Sequence, residues 1–65
     1  MTDLMKSVLT EVLSRELGTQ ERLKAKDSLV NRNVRITEIK NFMADNDIKI
    51  SMRHYLDALE GKEEK

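Results

Sequence analysis

A mainly α-helical fold, a small bundle of about four short helices, is the class this sequence predicts. Apolar residues recur at helical spacing through most of its length, as adjacent pairs one turn apart. There is no proline, and both glycines stand where helices should stop. The one departure is Val34-Arg35-Ile36, an alternating, β-branched tripeptide that suits at most one short β segment.

The first helix opens at Thr2 or Asp3 as N-cap and carries Leu4, Met5, Val8, Leu9, Val12, Leu13 and Leu17 on a broad apolar face. Gly18 suits a left-handed C′ residue, and Thr19 offers the next N-cap. A second, more polar helix is expected over roughly Gln20 to Asn31, with Leu23, Ala25, Leu29 and Val30 as its narrow stripe. Asn31-Arg32-Asn33 should end it, because these side chains compete with the backbone for hydrogen bonds. Thr37 then caps a third helix with Glu38 in its first turn and Ile39, Phe42 and Met43 inside. Asp45-Asn46-Asp47 is a turn, and Ile48 and Ile50 anchor the connection. Ser51 caps a fourth helix that buries Met52, Tyr55, Leu56 and Leu59 and stops at Gly61. Residues 1–61 thus form a single helical domain, with 62–65 as a charged tail.

Sixty-five residues place the chain near the lower limit for a self-sufficient core, at about 60% of surface buried. Cysteine is absent, which removes disulfides and thiolate metal sites together. Oligomerisation is the remaining device, and a homodimer is expected through Leu4, Val8, Leu9, Val12 and Leu13. Lysine and arginine number 12 against 12 aspartate and glutamate, so no global basic field draws the chain to nucleic acid or anionic membrane. Locally, Arg15 to Lys40 holds seven basic and four acidic residues, a +3 excess, while Glu60, Glu63 and Glu64 crowd the other end. No run approaches the ~20 apolar residues of a membrane span, and no signal-peptide core follows Met1, so a cytoplasmic protein is expected.

The inventory for catalysis is thin: no cysteine nucleophile, no glycine-rich phosphate loop and one histidine, His54. Ser51 and His54 lie three apart, but an N-cap and its first turn account for both, so no enzyme is expected. His54, Asp57 and Glu60 recur every three residues as a solvated polar face, and neither metal nor cofactor is expected.

One constellation points toward a function. The stretch from Val34 to Glu60, through Ile39, Phe42, Met43, Ile48, Ile50, Ser51, Tyr55, Leu56 and Leu59, resembles the helix-turn-helix of the winged-helix type, with Asp45-Asn46-Asp47 where that family has a glycine. The resemblance implies a small transcriptional regulator whose last helix enters the major groove of duplex DNA. Ser51, Arg53 and His54 would then face base edges, with Lys40 and Lys49 on phosphates. Asn31, Asn33 and Arg35 also alternate in a way that resembles the reading strand of ribbon-helix-helix dimers. A reading from a different class is a helical protein-interaction module, an inhibitor or anti-repressor, working through the apolar face of the first helix.

Overall fold

The computed structural model describes residues 2–26 and 30–61. Three helices account for most of them: α1 (Asp3–Lys26), α2 (Val30–Asp45) and α3 (Met52–Glu60), with no strand among the described residues. The expected mainly α class holds, but three helices stand where about four were expected. Expectations placed on Asp27 to Leu29, on the Val30 side chain and on the 62–65 tail lie outside the described residues.

α1 begins as its sequence implies. Thr2 is the N-cap: its Oγ1 accepts the Met5 N–H at 3.1 Å, and its carbonyl accepts that of Lys6 at 3.0 Å. The helix then runs straight through Gly18 and Thr19, so Gly18 is not a C′ residue and Thr19 does not cap a new helix. The reason is tertiary. A Cβ on Gly18 would collide with the Tyr55 carbonyl oxygen and sit 2.8 Å from the Ala58 Cβ and 3.0 Å from the Leu59 nitrogen. Glycine is there to let α3 approach, and that packing outweighs the ~1 kcal/mol it costs the helix.

The expected β segment is helical as well. Val34-Arg35-Ile36 belongs to α2, in which Ile36, Ile39 and Met43 form a buried i, i+3, i+7 stripe. Three alternating residues are too few to distinguish a strand from a helix that happens to bury the third. Asn31-Arg32-Asn33 therefore lies inside α2 rather than ending a helix, and Thr37 and Glu38 are mid-helix rather than a cap and its first turn. Of the expected inner face, Ile39 and Met43 are buried while Phe42 is exposed.

α2 ends in a Schellman motif. Ile48 N–H reaches back to the Met43 carbonyl at 2.8 Å, and Asp47 N–H to that of Ala44 at 3.3 Å. Asp47 takes the left-handed position at φ 56°, where glycine is usual. Met43 and Ile48 are both buried in one cluster, the apolar contact that accompanies this motif.

α1 is the central element; α2 and α3 each pack on it. The core consists of Leu17, Ile36, Ile39, Met43 and Ile48, with Leu9, Leu13 and Tyr55 partly buried against it. Ala58 is fully buried at the α1–α3 crossing. Two apolar residues expected inside α3, Met52 and Leu56, are exposed, as is Ile50 before it. The helix is rotated from the expected orientation because Ala58 must seat against Gly18. Position on the helix, not side-chain size, decides what is covered.

Candidate functional site

Two lines of residues along α1 organise what the molecule can do. The inner line is Ser14, Gly18 and Arg22, spaced i, i+4, i+8 and so stacked on one face. Ser14 is fully buried, and its Oγ accepts the Ser51 N–H at 2.9 Å. Gly18 provides the notch for α3. Arg22 Nε donates to the Ala58 carbonyl at 3.0 Å, which also accepts the Gly61 N–H at 3.0 Å. Gly61 stands at φ 77°, the left-handed value that lets it close α3. α3 is thereby tied to α1 at both ends and runs in the same direction along this line.

One of these ties and a local hydrogen bond engage two of the residues expected to read DNA. Ser51 occupies the N-cap position with extended backbone, yet its side chain makes no cap hydrogen bond. Its Oγ instead lies 2.8 Å from His54 Nδ1, so the two side chains satisfy one another on the first turn of α3. Lys40 is on α2 and pairs with Glu21 of α1 at 3.8 Å. Lys49 and Arg53 are exposed and make no ion pair among the described residues. Of the five expected contacts, only these two cations stand unengaged beside the start of α3. Exposed Met52 and Leu56 share the outer surface of that helix with Arg53.

The outer line of α1 is Leu4, Val8 and Val12, again i, i+4, i+8, with Met5 beside it. All four remain 51–74% exposed in the folded chain. The expected dimer set therefore divides. Leu9 and Leu13 turn inward and pack on the core, whereas Leu4, Val8 and Val12 are left outside. Spacing alone groups all five, because adjacent pairs on a helix straddle its core boundary.

Chain comparison adds no family. No protein-family model, curated protein or solved structure matches this sequence.

Between α1 and α2 the surface carries ordinary polar pairs. Arg35 Nε meets Glu16 Oε2 at 3.2 Å, and Arg32 donates to Gln20 Oε1 at 3.4 Å. Gln20, Asn31, Arg32 and Arg35 line an open depression of about 270 Å³ between α1 and α2. Its arginines are already engaged with α1, and its walls do not enclose a substrate. No helix among the described residues is long and apolar enough to cross a membrane. The uncovered apolar line on α1 is a feature that the fold itself does not explain.

Proposed function

We propose that this protein is a helical interaction module that docks a protein partner through the outer face of α1. The observation that carries the reading is the exposure of Leu4, Met5, Val8 and Val12 on consecutive turns. Single exposed apolar residues are ordinary, but a contiguous row of four is the kind of surface that partner helices cover. Burial of such a row is driven by apolar contact at about 25 cal/mol per Å², and so should survive raised salt. An inhibitor or anti-repressor acting by occupation of a partner's surface needs no more chemistry than this.

A second reading draws on Lys49 and Arg53. Both are exposed beside the start of α3, and they are the cations a duplex would meet if the helix-turn-helix resemblance of Val34–Glu60 extends to function. The exposed Met52 and Leu56 favour the apolar partner over the duplex, because a groove-reading surface is polar.

One experiment separates the two. Isotope-labelled protein is titrated with a neutral amphipathic helical peptide and, separately, with random-sequence duplex DNA, each at low and raised salt. Amide shifts over Leu4–Val12 on adding peptide, retained at raised salt, support the interaction module. Shifts confined to Lys49–Asp57 on adding duplex, fading steeply with salt, would replace it with the DNA-binding reading.

A further inference from the structure

The outer line of α1 does not stand alone. Glu16, Val12 and Met5 lie on one flank of α1, being four and eleven residues apart from Glu16. The Arg35–Glu16 ion pair at 3.2 Å sets the Arg35 flank of α2 against that same flank. Phe42, two turns beyond Arg35, returns to the same flank of α2. The Lys6–Asp47 contact at 3.7 Å holds the end of α2 beside the first turns of α1. Helical spacing and these two ion pairs therefore place Phe42, 43% exposed, on the flank of α2 turned toward Met5 and Val12. The result is an apolar surface shared by two helices rather than a stripe on one.

The rim of that surface has a sign. On α1, Arg15 is neutralised by Glu11 at 2.7 Å, and the far end is closed by the Glu16–Arg35 pair. On α2, Glu38 and Asp45 flank Phe42 one turn to either side. Both are exposed, and neither makes an ion pair among the described residues. The uncompensated charge beside the apolar surface is thus acidic, within a chain whose formal net charge is zero.

From this we infer the chemistry of the occupant: a basic amphipathic helix of a partner protein, its apolar face on Val8, Val12 and Phe42 and its lysines or arginines against Glu38 and Asp45. This rests on the interaction-module reading and sharpens it by naming the second wall and the partner's charge. A second copy of the chain fits less well. Its exposed cations Lys49 and Arg53 lie just before and within α3, which also carries Asp57 and Glu60, and these acids would meet the same acidic rim.

The test uses two synthetic helical peptides with one apolar face and flanks made either of lysine or of glutamate, measured by fluorescence anisotropy against the full chain. The lysine peptide is expected to bind roughly tenfold tighter at low salt, the difference shrinking as salt rises. The double variant Glu38→Lys, Asp45→Lys should reverse the preference while keeping its helical circular dichroism. Val8→Asp and Phe42→Ala should each weaken both peptides. Equal binding of the two peptides, abolished by Val8→Asp but unaffected by Phe42→Ala, would overturn the inference and leave the interaction module standing. Concentration-dependent self-association in sedimentation that Val8→Asp abolishes, with neither peptide bound, would instead assign the surface to a second copy. No peptide binding and no self-association would remove both the inference and the reading beneath it.

Discussion

The two faces of α1 invert the usual relation between side-chain size and burial. Ser14, Gly18 and Arg22 carry little apolar volume, yet that face is covered by α3. Leu4, Val8 and Val12 are spaced identically on the same helix and remain open. The inner face is covered because Ser14 and Gly18 let two backbones meet, and because Ser14 accepts the Ser51 N–H at the start of α3 while Arg22 donates to the Ala58 carbonyl near its end. The outer face is open because α2 and α3 are both engaged elsewhere on α1. Close approach requires the absence of side chains, and a large apolar row requires a partner wide enough to span it.

The largest effect that would sharpen this contrast comes from the core beside the inner line. Leu17→Ala should destabilise by about 2–5 kcal/mol in guanidinium melts, since Leu17 is buried in the cluster shared with α2. Gly18→Ala should cost about 1–3 kcal/mol despite alanine's higher helix propensity, because backbone atoms of α3 must shift. A gain in stability there would mean that α3 is not seated as described. Ser14→Ala should cost about 1–3 kcal/mol by leaving the Ser51 N–H without its acceptor. Ser51→Ala should cost less than Ser14→Ala, because the Ser51 hydroxyl makes no cap bond and meets only His54. If the order of these two serine variants is reversed, the hydroxyl of Ser51 caps α3 after all.

Asp47→Gly carries the opposite sign. Relieving the left-handed backbone should stabilise by about 0.5–1 kcal/mol, read as a raised denaturation midpoint. The smallest effect belongs to the outer line, where Val12→Ala should leave stability within about 0.5 kcal/mol. A loss there as large as that of Leu17→Ala would break the comparison, because it would mean that Val12 is covered in solution.

Much of the core was legible. Leu17, Ile39 and Met43 lie on the helical stripes their spacing implies, Ile48 is buried in the connection it was expected to anchor, and Thr2 caps α1 as its position suggests. Helix boundaries were less so. Gly18-Thr19 has the local signature of a stop followed by a start, and only the approach of Tyr55 and Ala58, some forty residues away, explains why the helix continues. Val34-Arg35-Ile36 failed for a similar reason: its neighbours Ile39 and Met43, rather than its own alternation, fix its period. At the surface, the division of Leu9 and Leu13 from Leu4, Val8 and Val12 depends on where α2 lies, which no local pattern encodes. The engagement of the Ser51 N–H with Ser14 is likewise a property of the α1–α3 contact.

Gly18 also has a consequence for the order in which the molecule assembles. An isolated α1 would be weakest at its middle, so its two halves should sample helix independently in the unfolded chain. What joins them is α3, whose ties to Ser14 and Arg22 span 37 and 36 residues of sequence. Closing loops of that length falls late in folding, after the local turns of α1 and α2 have formed. The middle of α1 should therefore gain its full protection only when α3 docks, and lose it whenever α3 lifts away. Amide exchange around Leu17 to Arg22 would then report the opening of α3, a helix distant in sequence, at the same rate as the amides of Tyr55 to Leu59.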